Sequence, residues 1–296
     1  MYNIIQKRNF FFSVSGVFII ISLVFIFLGG LKFSIDFTGG ALMQVEFKGE
    51  RPSAPEVEAS LAELNLGTIN IQNVGEKDMI LKMRNINNDE RVSITENLQN
   101  LRPMEEKTFD TVGPIIGQEL KRKAIYANIL VLICIIIYLA WAFRKISSYR
   151  VSSWLFGINA VIALIHDILI TIGLFSVLGY FFNIEVDSLF VTALLTILGF
   201  SVHDTIVVFD RIREGIKKDF SSPFETIINR SINETMIRSL NTTITTFLVL
   251  IALFLFGGES VKYFVLALMF GIVIGTYSSI FIASPLLLLW NRFRTK

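Results

Sequence analysis

Two histidine-aspartate pairs, His166-Asp167 and His203-Asp204, lie inside long stretches that otherwise carry no charge. Ionisable groups among such apolar neighbours are costly in a bilayer, so they mark the places where an ion or a proton is handled. A cation stands nearby in the chain. Arg238 shares one helix stripe with Asn241, Thr242 and Thr245, at spacings of three and four, and Ser201 shares a face with Asp204 by the same rule. If Asp204 and Arg238 lie at comparable depth they form a protonation-sensitive pair, because a nearby guanidinium favours the charged carboxylate. The plainer alternative is a fixed ion pair that sets helix packing. Adjacent residues on a helix point about 100° apart, so one His-Asp dipeptide is a poor chelate. A metal bridging His166 and His203 is the remaining metal reading, and a histidine bonded to a neighbouring helix is simpler. No metal, cofactor or catalytic residue is assigned, and the chain is read as a non-enzyme. It has no G-x-x-x-x-G-K loop, so ATP is not its direct energy source.

The elements that hold these groups follow from composition. The 296 residues are 53% hydrophobic with a mean hydropathy of +0.61, far too apolar for a water-soluble domain. Six nearly uncharged runs, about 10–28, 124–143, 155–178, 188–209, 242–256 and 261–289, are long enough to cross roughly 30 Å of hydrocarbon, the fifth only just. The first follows Lys7 and Arg8 but is too long for a signal-peptide core, and it reads as an uncleaved anchor. In the sixth, Ala267, Gly271, Gly275, Ser279 and Ala283 recur every four residues as a small-residue seam, packing within this subunit or against another. The net charge of +2 makes nucleic acid an unsuitable partner.

Lys and Arg set the orientation, since cytoplasmic connections keep positive charge. Lys7 and Arg8, the connection with Arg144, Lys145 and Arg150, the one from Arg211 to Arg238, and the end with Arg292, Arg294 and Lys296 hold fourteen; the third and fifth connections hold only Lys262. Both termini are expected in the cytoplasm and the segment from Lys32 to Lys123 outside. That segment alternates as strand 41–47, helix 54–66, strands 67–74 and 79–86, helix 88–101 and strand 107–112, the order of a ferredoxin-like α+β domain. It has no His and no Cys, and the lone Cys134 lies in an apolar run, so no disulfide can brace it. The expected fold is an α-helical integral membrane protein with six transmembrane helices and one extracytoplasmic α+β domain between the first two. Its expected divisions are 1–31, 32–121 and 122–296, with a cytoplasmic loop at about 210–241.

These residues carry a resemblance. Asp36-Phe37-Thr38-Gly39-Gly40, Val112-Gly113-Pro114, the block from Gly199 through His203-Asp204-Thr205 to Glu214, and Arg230-Ser231-Ile232-Asn233-Glu234-Thr235 with Arg238 resemble the SecF family. SecF is the smaller partner of SecD in the accessory complex of bacterial Sec protein export, related to the resistance-nodulation-division transporters. The long fourth-span block is the specific part; the Gly39-Gly40 motif is similar in SecD. The resemblance implies a SecD-like subunit, the SecY/SecE/SecG channel, unfolded preproteins and the lipid bilayer of the inner membrane as partners. It also implies that the proton motive force drives export, through Asp204 and Arg238. The family more often has Asn where His203 stands, which here puts a second titratable group beside Asp204. Gly39 and Gly40 let the backbone turn sharply under either reading. His203, Asp167 and His166 are secondary polar candidates. The rivals are a stand-alone proton-driven exporter of small molecules or lipids and an intramembrane metal-dependent hydrolase, which lacks a convincing nucleophile.

Overall fold

The computed structural model describes residues 2–142, 153–219 and 221–294. Arg144, Lys145, Arg150 and Lys296, used above for orientation, lie outside the described residues, as does the expected end of the second span at 143. The chain separates into two compact units, Phe33–Ile125 and Met1–Lys32 with Tyr126–Lys296.

The smaller unit is a four-stranded antiparallel sheet with helices on one face. In chain order it runs α2 (Ile35–Thr38), β1 (Gly40–Phe47), α3 (Ala54–Leu61), β2 (Asn70–Val74), β3 (Asp78–Met83), α4 (Asn88–Leu101) and β4 (Met104–Val112), with strand order β2-β3-β1-β4. Side chains alternate across a strand, so Ala41, Met43, Val45 and Phe47 enter the core with Met79, Leu81 and Met83, under Val57, Leu61, Ile94 and Leu98 of α3 and α4. On the open face Lys107 joins Asp78 at 3.0 Å and Glu46 at 3.1 Å, tying three strands by polar contacts. Each helix begins on a reciprocal cap: Glu56 accepts the Ser53 N–H at 2.8 Å, while Asn87 and Glu90 bond each other's backbone N–H at 2.8 and 2.9 Å. The boundaries differ from the pattern reading by three residues or more in four places, one of them the end of β3 at Met83 rather than 86. Helix α3 tightens into a 3₁₀ turn at Ala62–Leu64 and stops at Asn65, whose φ of 50° no helix tolerates. Strand β2 therefore starts at residue 70 rather than 67. Strand β4 starts at Met104 rather than 107, because a bulge at Gln44/Val45 lets it stay paired with β1 down to the buried Met104.

Gly39 and Gly40 have φ values of 76° and 141°. A Cβ on Gly39 would fall 2.6 Å from Pro114 Cα, and one on Gly40 would fall 2.7 Å from the Met83 carbonyl. Gly117 in turn lies against the backbone of Phe37 and Gly39. The Asp-Phe-Thr-Gly-Gly and Val-Gly-Pro segments, far apart in sequence, are thus two sides of one close backbone contact that only glycine permits.

Six helices among the described residues are long and apolar enough to cross a membrane: Ile5–Leu28, Pro114–Leu139, Trp154–Phe182, Ser188–Lys218, Phe224–Phe256 and Ser260–Leu289. The elements that carry them are α1 (Arg8–Leu28), α5 (Pro114–Ala142), α6 (Ser153–Phe182), α7 (Ser188–Lys218), α8 (Phe224–Phe256) and α9 (Glu259–Ser278), which passes through a π turn at Ser279–Ala283 into α10 (Ser284–Arg294). The fifth is not short, since α8 starts at Phe224 and carries its polar first half as helix. Asp187 caps α7 by accepting the Phe190 N–H at 2.8 Å, and Lys217 and Lys218 sit favourably at its carboxyl end.

Helix α7 is the centre of this unit, packed on α6, α8 and α9. The small-residue seam of α9 is what lets it approach: a Cβ on Gly271 would fall 2.2 Å from Ile197 Cδ1, and one on Gly275 would fall 3.0 Å from Ser201 Cβ. The seam is spent inside this chain. Gly173 of α6 serves the same purpose against α1, where its Cβ would strike Ser22 Oγ at 2.1 Å. The π turn has a cause in Pro285, which has no N–H to donate and would crowd a regular turn before it. The Ser284 hydroxyl bonds the Ser279 carbonyl at 2.9 Å within that widened turn.

Candidate functional site: carboxylates among hydroxyls

Asp167 sits about 20 Å of helix from either end of its span and is 0% exposed. One oxygen, Oδ1, lies 2.9 Å from His166 Nδ1 on the same helix. The other accepts from Ser201 Oγ of α7 at 2.5 Å and from Ser278 Oγ of α9 at 2.8 Å. Three helices therefore meet on one carboxyl group, and its partners are hydroxyls and an imidazole rather than a cation.

Asp204 is 8% exposed and accepts from Thr276 Oγ1 of α9 at 2.7 Å. Thr276 is shared with Thr243 of α8 at 2.6 Å. Ser239 of α8, 1% exposed, lies close enough to interact with the Asp204 carboxylate, although its Oγ makes no well-aligned hydrogen bond among the described residues. Next in sequence to Asp204 and to Ser278 is a further hydroxyl pair, Thr205 Oγ1 and Ser279 Oγ at 2.7 Å, with Ser279 also 3.3 Å from the Ser201 carbonyl. Consecutive residues at the end of α9 point about 100° apart and so serve separate tasks, Ser278 toward Asp167 and Ser279 toward Thr205.

Arg238 does not join this group. It is exposed on the outer face of α8, and among the described residues no ion pair links it to Asp204. The reason is rotation: Arg238, Asn241, Thr242 and Thr245 all face outward, while the stripe one residue over, Ser231, Thr235, Ser239 and Thr243, is the one turned into the bundle. Pattern reading found a polar stripe on α8 but chose the wrong one as the face toward α7. His203 is likewise exposed, while His166 is 5% exposed and committed to Asp167. The two histidines thus occupy different environments, and no three His, Cys, Asp or Glu side chains converge as metal ligands among the described residues. Thr276, Ser278, Ser239 and Thr243 were missed as site residues, although hydroxyls recurring every four residues in apolar helices were the available signal.

Six helices long enough to cross a membrane, two of them carrying carboxylates sunk in a hydroxyl-lined core, define a multi-pass membrane protein. The family profile described as protein export membrane protein SecD/SecF, C-terminal, matches residues 93–293, and the SecD/SecF GG motif matches residues 24–50. The chain is 41% identical to the protein translocase subunit SecF of Thermobaculum terrenum, over 98% of this chain and 94% of that one. It is 40% identical to the subunit of the same name from Anaerolinea thermophila, over 98% and 94%. The crystal structure of SecDF, a translocon-associated membrane protein from Thermus thermophilus, superposes with a TM-score of 0.86 at 31% identity, over 98% of this chain. This chain spans 39% of the length of that SecDF chain. The chain belongs to the SecF family of protein translocase subunits, accessory membrane components of bacterial Sec export in the inner membrane.

Proposed function

We propose that the chain works with a SecD-like subunit, bound to the SecY/SecE/SecG channel, and couples the proton motive force to the movement of unfolded preproteins. The observation that carries this reading is Asp204: a carboxylate 8% exposed in a membrane helix, held by a threonine hydroxyl and, among the described residues, in no ion pair with a lysine or arginine. A lone buried charge of that kind is costly, so gaining or losing its proton changes the energy of the helix packing around it. Arg238, on the outward stripe of α8, supplies the cation that Asp204 lacks when the helices rotate or when a partner subunit stands against that face. A few kcal/mol of such differential pairing shifts a two-state equilibrium almost fully.

In this reading both termini are cytoplasmic and residues 32–121 form a ferredoxin-like domain outside the membrane, where it meets chains that leave the channel; the sheet order β2-β3-β1-β4 supports the domain type. The chain itself has no catalytic role, and the preprotein is cargo. The test is export into membrane vesicles that contain the channel, the SecD-like subunit and this chain, with and without a proton gradient. Gradient-stimulated export that requires the chain and is lost in Asp204→Asn, with the protein accumulating and binding its partner normally, is the expected result. Stimulation that persists unchanged in Asp204→Asn removes Asp204 from the coupling.

A further inference from the structure

We propose that His166 and Asp167 form a second proton-holding site, buried between α6, α7 and α9 and separate from Asp204. The inference rests on the reading above only for where the proton goes, and on this structure for the site itself.

Among the described residues, the polar partners near Asp167 come from several helices. On its own helix there is His166 Nδ1; from α7 comes Ser201; from α9 come Ser278 and, next to it, Tyr277, whose ring stacks on His166 with centroids 6.4 Å apart. Helix α1 offers Ser15, which bonds the Tyr277 hydroxyl at 3.2 Å. Asp204 and its neighbour His203 lie on α7 one turn beyond Ser201, and Asp204 is engaged by Thr276 rather than by this group. No Lys or Arg bonds Asp167 among the described residues, and Arg238 faces outward from α8.

Two facts make this group more than a helix tie. First, a carboxylate at 0% exposure in the middle of a membrane span has, among the described residues, no ion-pair partner other than the imidazole beside it. Hydroxyl bonds alone do not offset the cost of a net charge there, so the pair favours the state with no net charge, which holds one proton more than carboxylate with neutral imidazole. Second, His166 Nε2 is buried and has no hydrogen-bond partner among the described residues. A buried ring nitrogen left unbonded is a cost that a purely structural histidine avoids. Here it leaves one atom of the dyad open to receive or release a proton.

The step balances simply. With Asp167 ionised and Nδ1–H donating to it, a proton adds to the Nε2 lone pair and gives imidazolium against carboxylate. Passing the Nδ1 proton to Oδ1 gives the equivalent neutral pair, a carboxylic acid bonded to an imidazole that carries its proton on Nε2. The reverse sequence releases one proton from Nε2. Ser201 and Ser278, both bonded to Oδ2, hold the carboxyl plane so that Oδ1 stays aimed at the ring, and they link the protonation state to the spacing of α7 and α9. They are positioning residues.

The experiment is pH-difference infrared spectroscopy on the full chain in lipid nanodiscs, comparing wild type, Asp167→Asn, Asp204→Asn and His166→Gln. The expected result is a carboxylic-acid carbonyl band that changes with pH, is retained in Asp204→Asn and is missing in Asp167→Asn. His166→Gln keeps a donor for Asp167 but cannot take up a proton, so it should move the midpoint of that band by about one pH unit or more, a tenfold change in proton affinity. This variant serves if Asp167→Asn does not fold. A carbonyl band unaltered by Asp167→Asn, or a midpoint unmoved by His166→Gln, overturns the proposal, and a merely structural hydrogen-bond tie predicts both. In vesicles, Asp167→Asn should lose gradient stimulation while export without a gradient continues; full gradient stimulation in that variant overturns its place in the path. If wild type itself shows no gradient stimulation, the proposed function fails while the infrared result still decides the dyad.

Discussion

Gly271→Ala adds one methyl group to α9 at the point where Ile197 of α7 already stands. The new Cβ would lie 2.2 Å from Ile197 Cδ1, 2.4 Å from Cγ1 and 3.0 Å from Cγ2. Carbon atoms settle at about 3.5–4.0 Å, so Ile197 or the whole helix must give by about 1.3 Å. Ile197 is fully buried and has nowhere to turn, and overpacking of this kind costs about 1–3 kcal/mol. Alanine in a helix interior returns about 1 kcal/mol relative to glycine, so the single variant nets only about 0–2 kcal/mol and is a poor test alone. Ile197→Ala removes all three clashing atoms. In a double-mutant cycle the helix-propensity term cancels, and the double variant should be about 1–3 kcal/mol more stable than the sum of the singles. Reversible unfolding of the full chain in one detergent, followed by tryptophan fluorescence or circular dichroism, measures this. Additivity within about 0.5 kcal/mol would refute the close α7–α9 seam.

Further outcomes follow from other parts of the chain. A fragment holding the small sheet unit should unfold cooperatively and lose stability in acid: Ser53 backbone bonding for Glu56, and the Arg84 pair for Glu90, hold both carboxyls below their usual 4.5. The stability they lend is present above pH 4.5 and is lost as pH falls through their lower folded values, so Glu90→Gln should flatten the acid limb of its thermal melts. Cysteine placed at Ser93 should label from outside the cell, and cysteine at Ser222 only from inside; the reverse would invert the orientation. Asn229 accepts the Ile4 N–H at 3.0 Å and donates to the Tyr2 carbonyl at 3.0 Å, clamping the amino-terminal strap onto α8. At about 1 kcal/mol per bond, Asn229→Ala should speed hydrogen exchange of the Ile4 amide roughly 5-fold or more, and unchanged exchange would mean the clamp is idle.

What the sequence made legible depended on period. Alternation put Ala41, Met43, Val45 and Phe47 on one face, and the four-residue spacing of Gly271 and Gly275 marked a seam before any partner for it was known. Ends were less legible. The helix of Asn65 stops on a left-handed residue and β4 gains three residues through a bulge, both of which depend on tertiary pairing rather than local preference. At the site, ionisable residues in apolar runs point to His166, Asp167, His203 and Asp204, of which all but His203 are buried. Which stripe of α8 faces them was not legible, because Arg238 and Ser239 belong to stripes of similar polarity and only packing separates them. The serines around Asp167 are less legible for a related reason: Ser278, the last residue of α9, lies one position off the four-residue row of Gly271, Gly275 and Ser279, and only packing brings it to the carboxylate.

If a proton taken up at Asp204 is converted into movement, as proposed above, proton flux across the membrane reads it out. Vesicles containing the channel, the SecD-like subunit and this chain, loaded with a pH-sensitive dye, can be followed while a preprotein is arrested in passage and after it is released. Proton movement should rise with translocation in wild type and fall to the level of chain-free vesicles in Asp204→Asn, at equal protein content. Equal, translocation-linked flux in the two proteins would contradict it.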